Sequence, residues 1–368
     1  MLLLLVLCAF ISAAGCLLLS RLGRRNARRY ADSMPQRFHK GHVPRLGGVA
    51  MWFACVFGWL WMVLAERYLP VTNSIVFSVH AAAIWFVTVG LAVFAGAVED
   101  ITHAVRARWR LALTLAAAFA AVWMLELRIE RLGMPWIDHL LQGLPWVGLL
   151  LAVVAIAGLP HAFNLIDGYN GLAGMVGIIC CFALAYVCLL NADRQLAAIA
   201  IVLAGATAGF LVWNYPRGFI FAGDGGAYLW GTVIAMISIT LVQRHQAVSP
   251  WFPALLLIYP VWETLFSIYR KAARGQSPSM ADALHFHQLI YRRVVRQVFE
   301  DDEARRMLMR NNRTSPYLWS FTLLTVVPAV LFWQSTAILV AFSVLFVASY
   351  IYAYVSIVRF KVPNWIRR

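Results

Sequence analysis

Only sixteen of the 368 residues are Asp or Glu, so where they stand decides where chemistry is conceivable. Glu66, Glu126, Glu130, Asp138 and Asp193 stand at or beyond the ends of apolar stretches, and Glu300 to Glu303 form an acidic run expected to be a solvated helix face. Of the other seven, Asp32 and Glu263 stand alone, while Glu99-Asp100, Asp167 and Asp224, in Gly- or Asn-rich settings, and Asp282 gather at the cytoplasmic ends of the expected spans. In the segment 161–172, Asn164, Asp167 and Asn170 follow at intervals of three. On helical geometry they point roughly the same way, and Gly168 and Gly171 let the backbone turn and approach a ligand. The plain alternative is a polar loop in which Asp167 or Asn170 caps a helix. Asp224, set among Gly223, Gly225 and Gly226, suits a magnesium–phosphate site, because Mg²⁺ takes one or two protein oxygens together with phosphate and water. A glycine-rich turn before a helix is the alternative there.

Three further groups complete the candidates. His285 and His287 stand beside Gln288, Arg292, Arg293 and Arg296, a combination that holds oxyanions by charge and hydrogen bonds. No thiolate or further His has zinc-ligand spacing with them. Glu99-Asp100 precede Arg106, Arg108 and Arg110, and adjacent acids can share a cation or orient a phosphate. Arg45, in the stretch from His42 to Gly48, stands where a basic loop meets an apolar one.

The elements that must carry these groups are membrane helices. Hydrophobic residues make up 62% of the chain and charged residues 13%, against about 25% charged in soluble domains. This excludes a soluble enzyme and a disordered chain, and the continuous apolar runs disfavour a β-barrel. A crossing takes roughly 20 apolar residues. The sequence offers eleven: about 1–19, 46–65, 75–98, 111–127, 146–166, 172–190, 195–213, 226–243, 251–268, 316–333 and 336–357. The expected fold is therefore all-α, a single polytopic domain over 1–368. Residues 128–145 suit a short interfacial helix. The first run has no Lys or Arg before it and Arg21, Arg24, Arg25, Arg28 and Arg29 after it, which reads as a retained anchor with its N-terminus outside. The C-terminus is then cytoplasmic, and so are the loops 20–45, 99–110, 167–171, 214–225 and 269–315, which together form the active-site face.

Charge tests that layout. Of the 31 Lys and Arg, only Arg67, Arg128, Arg131, Arg194 and Arg244 fall outside. The net charge of +15 is thus a positive-inside bias and needs no nucleic acid. The six cysteines lie in apolar runs and read as core or lipid-facing residues. A secondary transporter or flippase for a lipid-linked anion would place ionisable groups mid-membrane. Here only Glu263 and a few histidines such as His80 and His161 lie within spans.

Taken in order, from Pro44-Arg45 and Gly47-Gly48 to the His285/His287 loop, these motifs resemble the polyprenyl-phosphate N-acetylhexosamine-1-phosphate transferases. These membrane enzymes start lipid-linked O-antigen and related surface polymers. The eleven-span count resembles the O-antigen branch. The resemblance implies transfer of a sugar-1-phosphate from a UDP-N-acetylhexosamine, UDP-GlcNAc by default, to undecaprenyl phosphate with release of UMP, at the cytoplasmic face of a bacterial inner membrane. It implies that Asp224 and Asn164 ligate Mg²⁺, with Mn²⁺ as the alternative, and that Asn170 lies near uracil. It places Glu99, Asp100, Asp167, His285 and His287 in catalysis, and Gly168, Arg45 and Arg292 beside substrate. The bilayer is a partner, nucleic acid is not, and a homodimer is left open. Three residues depart from the family pattern: Glu99 for the first Asp of the pair, His161 for a frequent Asn, and Gln288 for a frequent His.

Overall fold

The computed structural model describes residues 1–23, 43–68, 75–275, 284–295 and 302–359. Asp282 and Arg296, singled out above, lie outside them. Every regular element among the described residues is helical. Helices α1 (Leu2–Leu22), α2 (Gly47–Tyr68), α3 (Val79–Thr102) and α4 (Ala107–Met124) precede a short α5 (Pro135–Gly143). Then come α6 (Pro145–Ile166), α7 (Leu172–Leu190), α8 (Arg194–Asn214) and α9 (Gly223–Arg244). The chain closes with α10 (Trp251–Leu256), α11 (Ile258–Ala272), the single turn α12 (Phe286–Leu289), α13 (Glu303–Leu331) and α14 (Thr336–Val358).

Among the described residues, α1, α2, α3, α6, α7, α8, α9, α13 and α14 are long and apolar enough to cross a membrane. The protein is thus a multi-pass membrane protein. The remaining two of the eleven expected spans are present as helices of another kind. α4 opens with Arg108 and Arg110 inside its first turns. The stretch 251–268 breaks at Leu257 into α10 and α11. Pro260 supplies no N–H to the carbonyl of Leu256, and that carbonyl instead faces the Cys180 thiol at 3.9 Å. The short helix expected within 128–145 is α5.

α9 is the axis of the bundle and is buried along most of its length. α2, α3, α6 and α8 surround it. Small residues allow that crowding. A Cβ on Gly231 would stand 2.2 Å from the backbone nitrogen of Pro160 in α6. At the other end, Cβ atoms on Gly48 and Gly96 would stand 2.0 and 2.3 Å from the nitrogens of Gly226 and Gly225. The start of α9 is therefore clamped between α2 and α3. Gly223 begins it at φ +71°, in the left-handed region that favours glycine. The glycines around Asp224 are thus a packed helix start, where the sequence suggested a loop reaching to residue 225. All six cysteines are buried and free, as core residues should be.

Candidate active site

The first turn of α9 has backbone N–H groups with no acceptor inside the helix. Asp100, in the last turn of α3, supplies one: its carboxylate accepts the N–H of Asp224 at 3.0 Å and of Gly225 at 2.9 Å. A negative group is also favoured there by the helix dipole. Arg45 reaches the same place because backbone hydrogen bonds tie residues 44–48 to 221–222 beneath it. Phe221 N–H donates to Pro44 O, and Gly47 and Gly48 N–H donate to Phe221 O and Ala222 O, each at 2.9 Å. Its guanidinium lies 3.4 Å from Asp100 Oδ1 and 3.3 Å from Asp224 Oδ1. Arg110, from α4, pairs with the second Asp224 oxygen. Residues from four separate stretches thus meet around one helix start, with Asp100 and Asp224 both buried.

Asp167 joins this group. It ends α6 as its C-terminal cap, and it lies within electrostatic reach of Arg45 and Asp224. Burial raises its carboxyl to about 7, Asp224 adds to the rise, and Arg45 opposes it. Its carboxylate makes no hydrogen bond or salt bridge with the described residues, and neither does the Asn164 side chain one turn earlier. These are oxygen donors with lone pairs to offer. Among the described residues, no three His, Cys, Asp or Glu side chains converge tightly enough to enclose an ion. The donor set therefore suits a hard cation that brings its own phosphate oxygens and water, the habit of Mg²⁺.

The third member of the sequence trio, Asn170, behaves differently. α6 ends at Ile166, so the interval of three no longer keeps side chains on one face. Asn170 is buried and ties the turn to α13: its N–H donates to Asn311 Oδ1 at 2.8 Å, and its side chain donates to Asn312 Oδ1 at 3.1 Å and Pro216 O at 3.4 Å. The expectation that Asn164, Asp167 and Asn170 point together is corrected. Glu99 also turns aside. Its Oε2 accepts the Val105 N–H at 2.8 Å and so closes the bend between α3 and α4. His161 sits one turn below the acids, with Thr114 Oγ1 at 3.0 Å and the Tyr228 hydroxyl at 3.5 Å.

The histidine loop packs on the turn that follows Asp167. The rings of His285 and His287 lie parallel, 5.4 Å apart. His287 meets Tyr169 edge-on, and a Cβ on Gly168 would come within 3.0 Å of His287 Nε2. Burial and the neighbouring His285 hold His287 well below the usual imidazole range, at about 3. It is therefore neutral at physiological pH, and its Nδ1 is buried without a hydrogen-bond partner. Tyr169 stacks on Tyr291, and Arg310 lies 4.3 Å above that second ring. Arg292 stands on the exposed side of a π-helical turn, Ile290–Val294. Gln288 accepts the backbone N–H of His285 at 3.3 Å, which gives this departure from the family pattern a structural task.

The sequence model described as glycosyl transferase family 4 matches residues 82–242, the stretch that carries Glu99, Asp100, Asn164, Asp167 and Asp224. That stretch, a little under half of the chain, is similar to glycosyl transferase family 4. The chain is 27% identical over 253 residues to the probable undecaprenyl-phosphate N-acetylglucosaminyl 1-phosphate transferase of Bacillus subtilis (strain 168), covering 68% of this chain and 66% of that protein. The decaprenyl-phosphate N-acetylglucosaminephosphotransferase of Mycolicibacterium smegmatis is 29% identical over 281 residues, with 68% and 65% covered. The undecaprenyl-phosphate alpha-N-acetylglucosaminyl 1-phosphate transferase of Escherichia coli (strain K12) is 26% identical over 264 residues, with 69% and 66% covered. The chain therefore spans just under two thirds of the length of these relatives.

Two residues of this site carry weak signals in the sequence. Arg110 is one of three arginines after the acid pair, and only the packing of α4 on α3 singles it out. Glu263 is a lone acid inside an apolar stretch, a placement that in membrane proteins points to function by default.

Proposed function

We propose that the protein transfers an N-acetylhexosamine-1-phosphate from a UDP-sugar to undecaprenyl phosphate, releasing UMP, at the cytoplasmic face of a bacterial inner membrane. UDP-GlcNAc is the default donor, and initiation of a lipid-linked surface polysaccharide such as O-antigen is the expected role. The observation that carries this reading is the meeting of Asp100, Asp167 and Asp224 with Arg45 and Arg110 beside a buried histidine loop. Two polyanions must be brought together in this reaction, and arginine forks suit their phosphates. The curated relatives bear names of the same activity. On this reading α4 and the broken pair α10–α11 are the two further crossings of the eleven-span layout, with the N-terminus outside.

In the reaction, an oxygen of the lipid phosphate attacks the β-phosphorus of the UDP-sugar. A new P–O bond forms as the bond from that phosphorus to the bridging oxygen breaks, and UMP departs. A phosphate monoester has its second pKa near ~6, so the nucleophile is already ionised and Asp100 has no need to be a strong base. What the protein supplies is alignment and charge. Asp100 fixes the start of α9 and with it Asp224. Arg45 and Arg110, held by Asp224 in the resting protein, are placed to turn to the incoming pyrophosphate. His285 and His287 close over it. Asp224, Asp167 and Asn164 are the oxygen donors that would hold Mg²⁺, which when bound neutralises pyrophosphate charge. No side chain here is proposed to form a covalent intermediate.

The test is to incubate purified protein with undecaprenyl phosphate and a panel of UDP-sugars and to identify the lipid product by mass spectrometry. A lipid-linked pyrophosphoryl N-acetylhexosamine is the expected product. No product with any UDP-N-acetylhexosamine, with and without Mg²⁺ or Mn²⁺, contradicts the proposal.

A further inference from the structure

Glu263 is fully buried in α11, and nothing above gives it a task. A buried carboxylate is costly unless its oxygens are satisfied, and both are. Oε1 lies 3.1 Å from His285 Nδ1 and accepts the backbone N–H of Phe286 at 3.1 Å. Oε2 accepts the Tyr350 hydroxyl at 2.6 Å. The His285 ring also faces the Gln288 backbone N–H as a helix-capping acceptor, but an ionised carboxylate only accepts hydrogen bonds, so the contact with Glu263 calls for the proton on Nδ1.

We propose that Glu263 is a positioning residue for the transferase reaction: it fixes the ring of His285 as the Nδ1–H tautomer and leaves Nε2 to meet the phosphates. This rests on the function proposed above.

The surroundings favour a set orientation over a loose one. The loop that holds His285 is fastened to the last helix at three levels. Tyr350 holds Glu263 itself. Arg270 donates to Leu284 O and, at 2.6 Å, to the Tyr354 hydroxyl, which donates to Leu284 O at 3.3 Å. Arg293 donates to the carbonyls of Ile357 and Val358, both at 2.6 Å. Because His287 stacks on His285 and packs against the turn at Gly168 and Tyr169, the orientation set by Glu263 passes to that second ring. Partners of this kind, one step behind the reacting groups, set ring orientation and tautomer in other histidine sites. α14 then acts as the backing of the histidine loop.

Two measurements on the full-length protein in lipid nanodiscs decide the matter. In ¹⁵N-histidine spectra, with His285→Ala to assign the resonance, wild-type His285 should show the Nδ1–H tautomer. Glu263→Gln, whose amide can donate as well as accept, should populate the Nε2–H form. In turnover, Glu263→Gln should lower kcat about 10- to 100-fold, with KM for the UDP-sugar changed by less than about threefold. Placed on His285→Ala, the same change should cost no more than about twofold, since its effect runs through that ring. Tyr350→Phe, which keeps the carboxylate, should lower kcat less, and it serves if Glu263→Gln fails to fold. An Nε2–H tautomer in the wild type, with Nδ1 accepting the Gln288 backbone N–H, overturns the proposal. So does an equal loss of kcat in both backgrounds, which marks a merely structural residue. Wild-type protein that releases no UMP overturns the transferase reading instead, while the tautomer still decides the Glu263–His285 pairing.

Discussion

Glu99 and Asp100 are neighbours in the chain with different work. Asp100 accepts two N–H groups at the start of α9 and faces Arg45, whereas Glu99 closes the bend at Val105. Gln at position 99 can still accept from Val105, so Glu99→Gln should keep at least about a tenth of wild-type turnover. Asn at position 100 loses the charge and one acceptor oxygen, and Asp100→Asn should lose about 100-fold or more, the scale on which displaced or missing electrostatic groups act. Steady-state UMP release by the two variants checks this, and equal losses would show that both acids are needed. Asp224 invites a second prediction. Its two oxygens hold Arg45 and Arg110, whose side chains are 30% and 27% exposed. Asp224→Asn should abolish turnover, yet cost only about 1–2 kcal/mol in stability because water screens the released guanidiniums. Denaturation midpoints measured beside activity separate the two effects. The acids were legible in the sequence because carboxylates are rare in an apolar chain and these stand beside Gly and Asn. The pairings were not, because Arg45, Arg110 and Glu263 meet their partners across tens to hundreds of residues. The Asn164, Asp167, Asn170 trio misled because spacing implies a shared face only while the helix continues, and it stops at Ile166.

At the scale of elements, the site depends on how closely α2 and α3 clamp the start of α9. Gly96→Ala would press a Cβ against the Gly225 nitrogen, and overpacking of this kind typically costs about 1–3 kcal/mol. It should lower both the thermal midpoint and turnover, because Asp100 and Asp224 move with the backbone. Gly158→Ala, which meets nothing within 4 Å, is the control and should be neutral or slightly stabilising, as Ala is the better helix former. If both glycine changes behave alike, the clamp has no special role. At the far end of the bundle, Asp193 caps α8 through the Leu196 N–H at 3.0 Å and faces His245 at 3.1 Å and Arg244 at 3.2 Å. Burial pushes its carboxyl up, but those three partners outweigh it and hold the group below its ordinary value of 3.8. A depressed acid contributes stability above its unfolded pKa and loses it as pH falls through the folded one. Asp193→Asn keeps a capping oxygen for Leu196 but loses the charge that faces Arg244 and His245, so it should lower the thermal midpoint at pH 7, by up to about 1 kcal/mol of stability, and matter progressively less below about pH 4. A gap that stays constant to pH 2 would contradict that account. The long membrane helices were legible from apolar run length, whereas the break at Leu257, α12 and the polar start of α13 at Glu303 were not. Helix ends were less so: α9 starts three residues earlier than hydropathy suggests, because Gly223-Asp224-Gly225 is polar in composition yet buried by close backbone packing.

For the whole molecule, the arrangement requires every charged motif to face one side. The native cysteines are all buried, so engineered ones report cleanly on sidedness. Arg292 and Arg128 are both exposed and stand on opposite sides in the expected layout. In intact cells an impermeant thiol reagent should label Arg128→Cys and spare Arg292→Cys until the membrane is opened; labelling of the second from outside would overturn the layout. The central claim is that one chain joins a nucleotide sugar to a lipid phosphate around Asp100, Asp167 and Asp224. Its most direct test is UMP release by purified protein in nanodiscs, measured with the UDP-N-acetylhexosamine alone, with undecaprenyl phosphate alone, and with both. The account predicts stoichiometric UMP and lipid-linked sugar only when both are present with Mg²⁺, and none from Asp224→Asn. UMP formed without the lipid, or unchanged in Asp224→Asn, would contradict it.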